Sequence, residues 1–577
     1  MLLEKVNEIP VSRTMVSVFR GYNHNLRIAE NEFYHMTNLS SDHYPVLSPR
    51  RARGIYVAEG APTGLISKDG LCYVDGEDFI CGGERVPLGL SPEPKTLVSM
   101  GAYVIIMPDK KYINTIDTND KGDIEAAVET EGEVSFTLCR ADGSAFGETS
   151  VGEEAPESPT NTALWIDTSS VPHVLRQYSS AEASWGAVAT TYIRISATGI
   201  GLSFKEGDGI AVSGVSDEAL SNLNGTMILE ARGDDYLVVT GILDQVTTQS
   251  TPITVKRQMP NLDFIIESGN RLWGCRYGEA LNGEIVNEIY ASKLGDFKNW
   301  NCFTGISTDS YTATVGSDGP FTGAIEHLGY PIFFKEACMH KVYGSYPANY
   351  RVQSTACRGV QKGCERSLAI VGEVLYYKAR TGVCAYDGSL PAEISAVFGE
   401  ENYYYAAAGA LGNKYYISMA DEMGKWHLFV YDAAKGLWHR EDDTQAVCFC
   451  RSRGDLFYID YADKYIKSVR GTGVPESKPI KWEAVSGIIG TDSPDKKYVS
   501  RMDVRMSLGA GARVSFYAEY NSSGEWEYLF TMDGINLETF AVPIKAKRCD
   551  HMRIRIVGTG AANIFSICKT MEQGSDG

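Results

Sequence analysis

The chain has 577 residues, 44% of them hydrophobic and 22% charged, with 58 Gly and 21 Pro. That is the composition of an ordered globular protein of two to four domains, and it excludes a disordered or fibrous chain. With 54 Lys and Arg against 73 Asp and Glu, the net charge of −19 excludes a surface that clamps nucleic acid on every side. It leaves open an acidic conduit that keeps a passing polymer from sticking.

The N-terminal MLLEKVNEIPVSRT has neither the basic nor the apolar part of a signal peptide, and no run reaches 18 apolar residues. Neither secretion nor a membrane span is expected. Asn31–Asn38 has helical character, with an acidic first turn. His24, His35 and His43 lie close in sequence but lack the spacing of metal ligands on a helix. Arg50, Arg51 and Arg53 follow the run YPVLSP as a basic group.

From residue 70 onward, short apolar runs recur behind a Gly: Gly70, Gly101, Gly269, Gly329, Gly372, Gly412 and Gly454. The intervals are 31, 168, 60, 43, 40 and 42 residues. The last three match one four-stranded propeller blade. Second strands end in aromatic or apolar residues followed by Asp, as at Tyr386–Asp387, Tyr431–Asp432 and Ile459–Asp460, the way a hairpin strand turns. Such units cannot bury their own faces and become stable by packing around an axis. The expected fold class is all-β: a propeller of seven blades, with six also fitting, and β-meanders in stacked sandwiches as the alternative.

The 168-residue interval implies an inserted β-barrel or sandwich over 130–256. Gly143 to Pro159 reads as an exposed acidic loop, followed by alternating strands near Tyr192, Gly209, Met227 and Tyr236. Asp217–Leu223 reads as a short helix. Beyond Gly471 the strands lengthen and alternate cleanly, predicting a C-terminal antiparallel β-sandwich over 475–577. The expected division is 1–129 for the N-terminal segment and first blades, 130–256 for the insertion, 257–474 for the remaining blades, then the sandwich.

The chemistry-bearing motifs are mostly missing. No GxxxxGK[ST], HExxH or GxSxG occurs. The stretch from Asp117 to Asp123 imitates a calcium loop but places Lys121 at a ligand position and Val128 where a bidentate Glu belongs. The acidic pairs Asp442–Asp443 and Glu153–Glu154 read as solvated turns, although paired carboxylates also serve glycosidases. The 13 Cys, odd in number and without a CxxC pair, predict buried reduced thiols in a reducing cytoplasm. Lys545, Lys547, Arg548, Arg553 and Arg555 punctuate the last strands. With Arg50, Arg51 and Arg53, the group Lys545, Lys547 and Arg548 forms the candidate set for contacts with a neighbouring subunit or a DNA path.

Several phrases resemble tailed-bacteriophage tail proteins of propeller type, the podophage nozzle and DNA-stabilisation hub proteins. They are the run GYNHNLRIAENEFYHMTNLSSDHYPVLSPRRARGI from Gly21 to Ile55, NRLWG from Asn270 with NEIYASKLGDFKNWN from Asn287, GAIEHLGYPIFFKEA from Gly323, and LYYKARTGVCAYDGSL from Leu375. The likeness spans about 15–110 and 260–470. It implies a virion protein without enzymatic activity or cofactor, assembled in the host cytoplasm as a homo-oligomeric ring, often of six copies. Such a ring would continue the DNA channel below the portal and adaptor, retain packaged DNA and pass it at ejection, with non-specific DNA contact. The N-terminal segment would complete the last blade. A carbohydrate-binding or glycoside-hydrolysing propeller is the alternative, and a receptor-binding or scaffold propeller the third.

Overall fold

The computed structural model describes residues 11–280, 283–492, 495–534 and 536–573. Strands dominate, and the helical segments among the described residues are single 3₁₀ stretches, the longest Glu218–Leu223, capped by Asp217. No described helix is long and apolar enough to cross a membrane.

Seven antiparallel sheets of similar plan form the centre: residues 62–87, 96–123, 264–314, 323–356, 369–393, 403–440 and 446–468. In order they are blades one to seven. Neighbouring first strands touch around the disc, with blade four meeting blade five through the turn Glu365–Ser367, and the first strand of blade seven returns to that of blade one, so the ring is closed. The fold class is therefore all-β, built on a seven-bladed propeller.

The seven glycines that set the sequence period all lie in the turn between the first and second strand of a blade. In blade three, Ser268 pairs with Arg271 around Gly269 and Asn270, at φ 62° and 59°. Both angles are left-handed, the requirement of a two-residue hairpin turn whose twist matches its strands. Blade seven recruits its fourth strand from far upstream: Gly54–Val57 pairs with Ile466–Ser468 on one side and Val474–Pro475 on the other. The ends of the ring are thus stitched together.

Between blades two and three, an eight-stranded sheet runs from Ala126–Glu129 to Thr254–Arg257 around its own core, including Phe136, Ile195, Phe204 and Leu237. A four-stranded sheet is nested inside it. Its strand Thr149–Gly152, in the stretch read as a loop, pairs in parallel with Leu164–Asp167. The inserted unit is fastened to blade three through the buried Asp208. This carboxylate pairs with Arg257 at 2.6 Å and accepts from Asn299 Nδ2 at 3.1 Å.

The C-terminal region is a sandwich of two sheets, one of which includes Lys497–Leu508 and Ala562–Gln573, the other Arg513–Tyr520 and Met552–Thr559. The N-terminal arm adds an edge strand to each. Val11–Val16 pairs with the last strand, and Phe33–Thr37 pairs with Lys481–Ser486. The helical character expected at Asn31–Asn38 is corrected here, because sheet pairing with a partner some 450 residues away outweighs local propensity. Phe19, Tyr22, Phe33, Met36, Leu39 and Leu47 of the arm lie in one apolar core with blades four to six and the sandwich. At about 1.5–3 kcal/mol per fully buried large apolar side chain, these six contribute roughly 10 kcal/mol to holding the two together.

The expectation that every Cys is a free thiol is also corrected. Antiparallel pairing sets Cys72 directly opposite Cys81 in blade one, and the two form a disulfide. Eleven cysteines remain free.

Candidate functional site

The arm runs along blades six and seven before entering the ring, and a cleft of about 560 Å³ opens where it crosses their seam. One wall is the arm itself, from Ser40 to Asp42 and Arg50 to Arg53. The other is made by turns: Gly412–Asn413 and Lys414 at the first hairpin of blade six, Ala434–Lys435 at its last, and Val469–Arg470 after the third strand of blade seven.

The floor is an ion-pair network. Arg53, only 3% exposed, places Nη2 2.6 Å from Glu441 and Nη1 3.0 Å from Asp442, and donates to Thr444 Oγ1 and Tyr458 Oη. Burial opposes its charge, but Asp442, Tyr458 and Glu441 outweigh burial and hold the guanidinium firmly protonated. Arg50 donates to Asn38 Oδ1 at 2.7 Å and to Glu476 at 3.0 Å, with Asp442 at 3.5 Å. Burial alone would raise Asp442 and Glu476. Arg53 and Arg50 reverse this for Asp442, and Arg50 chiefly does so for Glu476, leaving both below the usual carboxylate range. Glu476 also accepts from the Arg53 backbone N–H. These contacts pin the arm one residue before its strand joins blade seven.

The rim is different. Lys414 Nζ reaches Asp42 at 2.6 Å and Ser40 Oγ at 3.1 Å, and Ser41 Oγ donates to Asp432 at 2.6 Å. Arg51 is exposed and only 3.5 Å from an Asp42 already held by Lys414. Lys435 is exposed, its Nζ 5.4 Å from the centre of the Tyr44 ring. The exposed Arg470 side chain makes no hydrogen bond or ion pair among the described residues. Six basic and three acidic residues line the cleft. With Asp442 and Glu476 behind Arg53 and Arg50 the charges nearly balance, and the cations left to meet an anionic ligand are those of the rim, Arg51, Lys435 and Arg470.

Of the basic residues singled out in the sequence, Arg50, Arg51 and Arg53 meet here. Arg50 and Arg53 are spent on internal pairs, and Arg51 faces the opening. Lys545, Lys547 and Arg548 lie elsewhere, exposed on the connection between Glu538–Val542 and Met552–Thr559 of the sandwich. Lys547 is paired with Glu527. Of the pair Asp442–Asp443, only Asp443 is solvent-exposed as expected. Asp442 serves Arg53 and Arg50, while Asp443 pairs with Arg440 and Lys425. The sequence reading missed Lys414, Lys435 and Arg470. The signal available for the first two was their position in the turns GNK and DAAK, which any blade repeats on one face of the disc.

No family model matches the chain, and no curated protein does. Among solved structures, the exo-β-1,3-galactanase of Phanerochaete chrysosporium with galactose is 10% identical, covering 53% of this chain and 94% of its own, with a TM-score of 0.22. A glycoside hydrolase engineered for endo-xylanase and exo-arabinofuranosidase activity is 10% identical over 54% and 96%, with a TM-score of 0.20. The phage phi92 endosialidase is 10% identical over 75% and 68%, with a TM-score of 0.21. Likenesses at this level assign neither substrate nor activity. The expectation of a chain without enzymatic activity is nevertheless corrected to an open one: the three proteins named here are hydrolases, so the missing motifs do not exclude an enzyme.

Proposed function

We propose that this chain is a carbohydrate-engaging propeller protein that holds a carboxylated oligosaccharide in the cleft at the seam of blades six and seven. The observation that carries the reading is the rim: Arg51, Lys435 and Arg470 are exposed cations with unspent donors, set beside the exposed amide of Asn413. Guanidinium groups match carboxylates with paired N–H donors, and hydroxyl and amide groups match sugar hydroxyls. A cleft of about 560 Å³ has the size of an oligosaccharide site and is far too small for a DNA duplex. A glycan array carrying neutral, sulfated and carboxylated oligosaccharides tests the reading. Retention confined to carboxylated members supports it, and retention of neutral glycans alone, or of none, refutes it.

A second reading, a ring-forming tail component, is favoured by one separate observation. The arm 11–57 threads both sandwich sheets and the last blade, welding propeller and sandwich into one body, as a load-bearing ring subunit requires. Electron microscopy of the purified chain, alone and with a portal–adaptor complex, separates the two. Closed rings that dock support the tail role, and a monodisperse monomer counts against it.

A further inference from the structure

A second constellation stands apart from the cleft, on the rim of the sandwich. The hairpin between Arg513–Tyr520 and Glu527–Asp533 turns through Asn521 and Ser522, at φ 51° and 49°. Left-handed backbone at two successive residues other than glycine costs about 1–2 kcal/mol each, and the side chain of Ser522 is held out on a sharp turn. Ser522 Oγ lies 2.8 Å from His551 Nε2, and His551 Nδ1 lies 2.9 Å from Asp550 Oδ2. With Asp550 accepting from Nδ1–H, Nε2 is left as the acceptor that faces the Ser522 hydroxyl. Two further bonds lock the turn to the strand that carries the other two residues. Asn521 N–H donates to the His551 carbonyl at 3.0 Å, and Asp550 N–H donates to Asn521 Oδ1 at 2.8 Å.

From these distances the geometry points to Ser522, His551 and Asp550 as a nucleophile–base–orienting acid set that cleaves short acyl esters, a site independent of the anion cleft. Ser522 and Asp550 are exposed and His551 is partly so, which leaves the site open to an ester displayed on a polymer, such as an O-acetyl group. In the step itself, Ser522 Oγ bonds to the acyl carbon as its proton passes to His551 Nε2. The carbon–oxygen bond to the alcohol breaks, and that alcohol leaves with the proton. Water then attacks the acyl-serine by the same route in reverse, releasing the carboxylic acid and restoring Ser522. No oxidant, reductant or metal enters the balance. Asp550 orients the imidazole and stabilises its cation.

The test treats the full chain with a fluorophosphonate probe and, separately, with p-nitrophenyl acetate, and locates adducts by peptide mass spectrometry. Ser522→Gly is the main variant, because glycine accepts φ 49° and removes the hydroxyl without strain. His551→Asn is the second. The inference predicts an adduct on Ser522 and at least a tenfold loss of labelling rate and ester turnover in both variants. Labelling elsewhere with none at Ser522, no labelling at all, or a Ser522 adduct formed equally fast in His551→Asn would each overturn it.

Discussion

Replacing Arg53 by Met tests whether the buried ion pairs at the seam hold the ring closed. Arg53 is 3% exposed and its partner Glu441 4%, so the substitution leaves that buried carboxylate with only Arg50, 4.0 Å away, and deprives Asp442 of its nearest cation. Breaking a buried pair from one side costs about 3–5 kcal/mol, mostly as the penalty of the charge left behind. Because the affected backbone leads directly into Gly54–Val57, the cost falls on the opening of that strand rather than on the blades as a whole. At about 1.4 kcal/mol per tenfold, exchange of the strand's amide hydrogens is expected to accelerate roughly a hundredfold to a few thousandfold. Hydrogen exchange read by mass spectrometry on peptides covering 50–60 measures this. The triple variant Arg53→Met, Glu441→Gln, Asp442→Asn removes the stranded charges and should recover most of the protection. Unchanged exchange in Arg53→Met, or no recovery in the triple variant, would refute the reasoning.

Further outcomes follow from particular contacts. His35 and His340 are lowered by burial to about 4 and His439 to about 3, so the folded state binds these protons less readily than the unfolded chain. Their share of stability is complete above about pH 6.5 and is lost as pH falls toward 4, at up to about 1.4 kcal/mol per pH unit for each histidine. Denaturation midpoints measured from pH 7 to pH 4 should decline accordingly, and a flat profile would contradict this. The carboxylates Asp442 and Glu476, held low by Arg53 and Arg50, add a second loss below about pH 4. Gly558→Ala would place a Cβ about 2.0 Å from the Trp482 ring, against a side chain that is 2% exposed and bonded to the Gly560 carbonyl. Overpacking of this kind costs about 1–3 kcal/mol, visible as a lowered sandwich transition with altered Trp fluorescence. Titration of the denatured, unreduced chain should find eleven thiols and the reduced chain thirteen. Thirteen in both would remove the Cys72–Cys81 bond.

The propeller was legible because its turns repeat. A hairpin that needs left-handed backbone recruits glycine into its first turn, as in blades two to seven, and the run from Gly329 to Gly454 kept a blade-length spacing. That the N-terminal segment completes the last blade was expected only through resemblance, and its strand Gly54–Val57 does so. What stayed hidden was pairing at long range. Nothing local in Val11–Val16 or Phe33–Thr37 announces partners hundreds of residues away in the sandwich. The same distance explains the arginines. Arg50 and Arg53 read as free cations because their partners Glu441, Asp442 and Glu476 come from the other end of the ring, where Asp442 looks like a solvated acid. The cleft cations were missed because each is an ordinary turn residue until the ring closes and gathers them.

The account rests on the cleft at the seam binding a carboxylated glycan through its rim. Isothermal titration of a polyuronate oligosaccharide into the wild-type chain and into Lys435→Glu with Arg470→Glu, at low and high salt, tests it most directly. The account predicts binding that weakens with salt and falls at least tenfold in the charge-reversed variant, with the fold unchanged. No binding at low salt, or equal affinity in the two proteins, would contradict it.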